Sequence, residues 1–420
     1  LKNNETIQLK NKIIYNNNNQ IKMSYYILPK KHNTINISPK LVENNEENGE
    51  DNTILKPVVS HSLVYYLDKI NQQIKVYFDS DVNDINNYIK YDMICKIINP
   101  YEFIFSKVPG LKYSVSKLKP QNNIFFIIME IMYNFTIFDY MNENINTIHL
   151  GKNSHSIIEC MNIMREDYND NHIFFELNES SNINDLFKKY NEMKSLNIQK
   201  QSIDFLYFEL NNKIYLNTNK YIYGLIIFLQ LILSYQKENG VTIIKIDNIF
   251  YKPIVDVLYI LTSLYDKVYI VKPNTTNIIT NERYLVCKHF TVKKNEALVN
   301  NLELLIKTLN GNHFIVESLI SEKLSVYFTN KIEDSNINIG HQQIEHLDLL
   351  FHVIKNKNRD DKIDTLKKNN ILKCIQWCEK FKIPHNKFVD KINIFLPSIE
   401  NSLYENNELN FSSEIDIVDS

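Results

Sequence analysis

Apolar and polar positions fall into two regimes along this chain. Residues 1–22 and 43–53 show no hydrophobic period and are crowded with asparagine and glutamate, so both stretches are expected to be mobile. Between them, 24–37 alternates enough to make one strand or extended arm. Residues 54–98 mix a short strand at 74–78 with helix-like spacing, a small N-terminal region. From residue 121 the pattern is regular. Apolar positions recur at helical spacing over 122–141, 156–165, 219–237 and 253–265, and short apolar runs stand at 146–150, 173–177, 203–210, 241–246, 267–271 and 283–290. Strands alternating with helices of these lengths indicate βαβ units, hence an α/β fold with a doubly wound sheet covered by helices on both faces. After 292 the spacing is mainly helical (294–309, 338–357, 360–382), and a polar tail begins at 400. The expected organisation is an arm over 1–53, the small region 54–98, a principal domain over 99–291, a helical region over 292–399 and the tail 400–420.

Composition narrows the partners. With 420 residues the chain can bury a large core, and a net charge of −2 argues against a strongly cationic nucleic-acid binder, leaving only a local patch for such contacts. Lys96, Lys107, Lys112, Lys117 and Lys119, faced by Glu102 alone among acids, could form that patch or could simply line solvated loops. The five cysteines, at 95, 160, 287, 374 and 378, are odd in number and scattered, which suits a reducing compartment. Cys374 and Cys378 share a helical face but lack the paired spacing of structural zinc sites, so no metal is expected. The most apolar run, 221–235, is shorter than the roughly 20 residues a bilayer span needs and reads as a buried helix, so no membrane partner is expected. The asparagine, isoleucine, lysine and tyrosine bias reads as AT-rich coding, as in some large DNA viruses.

The densest chemistry lies at 240–287: Gly240-Val-Thr-Ile-Ile-Lys245, then Lys267-Val-Tyr-Ile-Val-Lys272-Pro273-Asn-Thr-Thr276, then Asn281-Glu282-Arg283-Tyr284-Leu-Val-Cys287. This order resembles the end of an FtsJ-like RNA 2′-O-ribose methyltransferase domain. The lead-in, Asn99-Pro-Tyr-Glu-Phe-Ile with Lys107-Val-Pro and Ser114-x-Ser-Lys-Leu-Lys-Pro120, resembles the cap-directed giant-virus branch, so the similarity covers roughly 99–290. The resemblance implies a Rossmann-like methyltransferase sheet closed by an antiparallel strand, with an N-terminal extension and a C-terminal helical region. It also implies S-adenosylmethionine as methyl donor, capped RNA as substrate, and the host cytoplasm, a viral factory or the virion as location.

Methyl transfer to a ribose hydroxyl requires positioning of two substrates and help in deprotonating a weak acid, work done in the family by a Lys-Asp-Lys-Glu tetrad. Lys245 matches the second lysine and Glu282 the glutamate. Glu209 stands where aspartate is expected, at the end of Asp204-Phe-Leu-Tyr-Phe-Glu209; a displacement of about 1 Å can cost ~100-fold in rate. Anchoring on Glu130-Ile131 puts Ile127 at the first lysine, and Ile127 can neither give nor take a proton. Lys117 and Lys119 lie two or more helical turns out of register.

The donor loop departs further. Thr147-Ile-His149-Leu150 and Ile157-Ile158-Glu159 through Met164-Arg165 match the flanks, while Gly151, Lys152, Asn153, Ser154, His155 and Ser156 replace a run of acid, glycine and proline. Glycines serve there because a β-carbon would intrude on the donor, and Lys152 reverses the charge that would face the donor's ammonium. Ordinary S-adenosylmethionine binding is therefore not expected, and Gly151–Ser156 should fill the donor site. Ile127 should face the same crevice.

Three functional readings follow. The first is an FtsJ-like homologue with weakened or lost activity, retained as an RNA-processing or scaffolding subunit beside an active methyltransferase or a virion component. The second is an active enzyme with an atypical loop. The third, another nucleotide-binding Rossmann-like protein, lacks the glycine spacing it would need. Lys245 and Glu282 read either as a catalytic remnant or, by preference, as a structural ion pair kept because breaking a buried pair costs about 3–5 kcal/mol. His149 fits a satisfied core histidine, and His155 either a new functional group or a solvated loop residue.

Overall fold

The computed structural model describes residues 23–33, 35–43, 55–79, 85–196, 198–291, 296–310, 314–355 and 360–386. The expected mobility of 1–22 and of all but Glu43 in 43–53, and the polar tail from 400, fall outside them.

The chain is a mixed α/β protein built on a seven-stranded sheet. Its strands are β1 (Ser24–Leu28), β3 (Asn146–Gly151), β4 (Asn171–Glu176), β5 (Ile203–Phe208), β6 (Gln236–Ile246), β7 (Tyr265–Lys272) and β8 (Arg283–Phe290), in the order β1-β7-β8-β6-β5-β3-β4. Strands β4, β3, β5 and β6 run parallel, β8 is antiparallel to both β6 and β7, and β1 pairs antiparallel with β7 at the edge. A small second sheet joins β2 (Lys40–Glu43) to β9 (Phe314–Ser318).

Both faces of the large sheet are covered, and the period of two decides which residue enters which core. Leu206, Phe208, Ile244, Ile246, Leu285 and Cys287 point into one core. There the fully buried run Tyr221–Tyr235 of helix Thr218–Tyr235 lies with helices Lys252–Leu264 and Glu296–Leu309. Phe205, Tyr207, Val241, Ile243, Tyr284 and Val286 point the other way, against helices Ile124–Asn134, Ser154–Met164 and Asp360–Lys380. Cys374 and Cys378 sit in that second core, where burial pushes the Cys378 thiol up to about 12. Among the described residues no helix is long and apolar enough to cross a membrane.

Three expectations need correction. Residues 74–78 are not a strand: they belong to helix His61–Asp79, in which Leu63, Leu67, Ile70 and Ile74 form a helical stripe packed with Leu347, Leu350 and Ile354 of helix Val326–Lys355. That long helix begins twelve residues before the expected 338, and β9 interrupts the helical region. The flanking regions are also tied to the sheet by hydrogen bonds. Arg283 Nη1 donates to Asn336 Oδ1 at 2.8 Å and Asn336 Nδ2 donates to Ser60 Oγ at 3.0 Å, so one polar chain ties sheet, long helix and N-terminal segment.

A buried bidentate pair fastens the β3–β4 unit. Arg165 Nε and Nη2 reach the two Asp170 oxygens at 2.6 and 3.0 Å, and its remaining donors satisfy the carbonyls of Met141 and Glu143. Both side chains are almost wholly excluded from water. Arg165→Met leaves the Asp170 carboxylate buried without its partner and is expected to lower unfolding free energy by about 3–5 kcal/mol in urea titration.

Candidate functional site

Parallel pairing of β5 with β6 sets Phe208 beside Ile244, so the next residues, Glu209 and Lys245, emerge together at the carboxyl ends of the strands. Glu282 enters the same place from the opposite direction, immediately before β8. Lys245 Nζ lies 2.9 Å from Glu209 Oε1 and 3.5 Å from Glu282 Oε1, with side-chain exposures of 17% for Lys245, 2% for Glu209 and 20% for Glu282. The three strand-end residues singled out in the sequence are thus brought into one cluster. Tyr207 Oη donates to Glu209 Oε2 at 3.3 Å and Tyr284 Oη to Glu282 Oε1 at 2.8 Å. Tyr284 was named only as part of the 281–287 motif and Tyr207 only within the 204–209 run, neither as a partner of its acid; each stands two residues from that acid on the same strand face, a period-two signal that was readable.

Burial alone would lower the Lys245 pKa, but Glu209 and Glu282 outweigh it and hold the ammonium above its ordinary range. Burial would raise Glu282, yet Lys245 and Lys272 bring it below the carboxylate range. At neutral pH Lys245 is therefore a cation and not a proton acceptor. Lys272 differs. Burial pulls its pKa down to about 7 against the opposing pull of Glu282. Its Nζ donates to the carbonyls of Asn277, Thr280 and Glu282 at 2.9, 3.0 and 2.7 Å, so it shapes the loop that delivers Glu282.

Glu130 fixes the other end of that loop. Its wholly buried carboxylate accepts from the backbone N–H groups of Asn274 and Thr275 and from Asn274 Nδ2 and Thr275 Oγ1, at 2.8–3.2 Å.

The segment Gly151–Ser156 closes over Glu209. A turn of two residues, Lys152 and Asn153, joins β3 to helix Ser154–Met164. Asn153 Nδ2 donates to both Glu209 oxygens, at 2.9 and 3.0 Å, and Asn153 Oδ1 accepts from Asn122 Nδ2 at 2.8 Å. Gly151 is required by contact and not by a special dihedral: a β-carbon there would stand 2.8 Å from Glu209 Cβ and 2.9 Å from its carbonyl oxygen. Lys152 pairs with Glu179, and His155 lies 3.2 Å from Glu176 while packing on the Phe174 ring. Ser154 Oγ donates to the Gly151 carbonyl, and Ser156 is buried.

Ile127 is buried in the second core among residues that include Tyr207 and Tyr284. Lys117 and Lys119 are exposed and contact none of the three charged residues. His149 is fully buried, and burial pulls its pKa down to about 3; Nε2 lies 2.8 Å from Thr147 Oγ1 but Nδ1 has no hydrogen-bond partner, so this is a neutral core histidine that is only partly satisfied. A cavity bordered by Tyr101, Glu102, Asn123 and Thr275 holds about 10 Å³, room for roughly one water. A larger one of about 210 Å³, lined by Lys200, Gln201, Ser234 and Asn300, lies at the opposite end of the strands. Among the described residues no group of three or more His, Cys, Asp or Glu side chains could hold a metal ion. Comparison with known proteins finds no family model and no curated sequence that matches this chain.

Lys272 yields a pH prediction. Its folded pKa lies below its unfolded one, so unfolding takes up a proton between about pH 7 and the ordinary lysine range, and stability rises with pH across that window. Denaturant titrations of the parent and Lys272→Met should differ in this slope, the variant being flatter, and side-chain NMR should find one lysine titrating near pH 7 that the variant lacks.

Proposed function

We propose that this chain is a homologue of the FtsJ-like cap-directed RNA 2′-O-ribose methyltransferases in which methyl transfer is weakened or lost, retained as an RNA-processing or scaffolding subunit. The observation that carries the reading is the Lys245 ammonium held between Glu209 and Glu282 at the strand ends while Asn153 covers Glu209. Three of the four charged positions of the tetrad pattern stand together, and a loop side chain occupies the carboxylate that would orient a reacting group.

Two further features support it. The parallel run β4-β3-β5-β6 followed by the antiparallel β8 fits the sheet with an antiparallel closing strand that the resemblance implies. The segment carrying Lys-Pro-Asn-Thr-Thr is clamped by Glu130, the residue used to align the missing first lysine. S-adenosylmethionine does not fit the loop as it stands. The backbone at Gly151 already stands against Glu209, the turn is two residues long, and its one charged side chain, Lys152, is a cation paired with Glu179 and offers no acid to a donor's ammonium. With Ile127 in place of a lysine, the tetrad pattern lacks its first lysine, and Lys245 is held as a cation that cannot take the ribose proton.

Calorimetric titration with S-adenosylmethionine tests the proposal, with no binding expected up to millimolar donor; micromolar binding, with methyl transfer to capped RNA that is lost in Lys245→Ala, would establish an active enzyme instead. A constructive test replaces Asn153→Gly, Ser154→Pro, His155→Gly and Ser156→Gly together with Ile127→Lys. Proline suits the first turn of helix Ser154–Met164, where its missing N–H is no loss. Measurable methylation is expected from the combined variant and from neither part alone, because donor binding and proton removal fail separately.

A further inference from the structure

The segment ahead of helix Ile124–Asn134 carries a cationic face that the methyl-transfer reading leaves unused. From 103 to 129 there is no aspartate or glutamate, while Lys107, Lys112, Lys117 and Lys119 all stand exposed, with Phe105 and Tyr113 partly exposed between them. Lys107, Lys117 and Lys119 enter no ion pair among the described residues, whereas Lys96, further back, is held by Asp92 at 2.6 Å. Lys367 adds to this charge, its amine coming within 3.9 Å of where a β-carbon on Gly110 would stand.

The chain returns to this same face. Lys117 N–H donates to the Pro384 carbonyl at 2.8 Å, and Asn386 donates through its backbone to Val115 and through its side chain to Ser114, each at 2.9 Å. Residue 386 is thereby fixed among the lysines. Beyond it, 400–420 holds Glu400, Glu405, Glu408, Glu414, Asp416 and Asp419 with no lysine, arginine or histidine, and places Leu403, Tyr404, Leu409 and Phe411 between the acids.

We propose that the acidic stretch 400–420 of this same chain docks on the lysine face formed by 105–119. Charge is complementary, and aromatic and aliphatic side chains on both partners give the contact an apolar component. The intervening 387–399 reaches at most about 45 Å when fully extended, enough to place the acids on a face that begins at the attachment point. A tether of that length supplies a millimolar effective concentration, so weak pairing suffices. Nucleic acid would have to displace this stretch to use the same lysines. The inference goes beyond the methyltransferase homology and does not rest on it.

The test is the acetylation rate of individual lysines, read by mass spectrometry on the full chain. The comparison chain carries Glu400→Gln, Glu405→Gln, Glu408→Gln, Glu414→Gln, Asp416→Asn and Asp419→Asn, all outside the described fold. Lys107, Lys117 and Lys119 should react at least about threefold more slowly in the parent, the difference vanishing near 0.5 M salt as screening predicts, and independent of protein concentration. Equal rates in the two chains overturn the proposal. So does protection that grows with concentration, which assigns the face to a second copy, and protection seen only on adding a single-stranded oligonucleotide, which assigns it to nucleic acid.

Discussion

Three basic side chains, Lys245, Lys272 and Arg283, lie at one edge of the sheet with little or no water around them, and the loops at that edge are arranged to meet their charge when they carry it. An unpaired buried charge costs several kcal/mol, so each must be met. Glu209 and Glu282 meet Lys245, and three carbonyls together with the field of Glu282 meet Lys272. Arg283, whose pKa burial lowers to about 10, has Asn336, the Asn281 carbonyl and the nearby charge of Asp247. These partners come from the strand ends, the loop before β8 and the long helix, so the same electrostatic demand that shapes the site also fixes how the N- and C-terminal regions join the sheet.

What could be read in the sequence follows from how local its causes are. Runs such as 203–210 and 241–246 announce strands because both faces of a central parallel strand are buried, and the helix over 221–235 needs only its apolar length. The helical spacing over 219–237 overran the helix by two residues, since it ends at Tyr235 and β6 starts at Gln236 and not at Val241. The placement of β1 beside β7, some 240 residues away in sequence, depends on a pairing that no local period encodes. At 74–78 β-branched and aromatic residues suggested a strand, but the stripe Leu63, Leu67, Ile70, Ile74 and its partner helix decided for a helix.

The site divides in the same way. Glu209, Lys245 and Glu282 were legible because each terminates or precedes an apolar strand, and strand ends in such sheets converge on one crevice. Asn153 and Asn122 were not legible as partners. Their meeting depends on the two-residue turn after Gly151 and on the start of helix Ile124–Asn134 arriving over it, a juxtaposition of segments about thirty residues apart.

The meeting of the charged trio does not by itself argue for catalysis, because deleting either acid would leave a buried lysine underpaired whatever the protein does. The more telling feature is how fully Glu209 is used. A carboxylate has about four acceptor sites. Glu209 Oε1 takes Lys245 and Asn153, and Oε2 takes Asn153 and Tyr207. No acceptor site is left with which to orient an incoming group, and only the neutral donors, the Asn153 amide and the Tyr207 hydroxyl, could be withdrawn without stranding a charge. A carboxylate that serves a reaction must keep a site for the reacting partner; one that serves the fold is best saturated. Glu209 is saturated by a side chain from the two-residue turn after β3, and that side chain is itself held by Asn122, so turn and carboxylate form one structural unit.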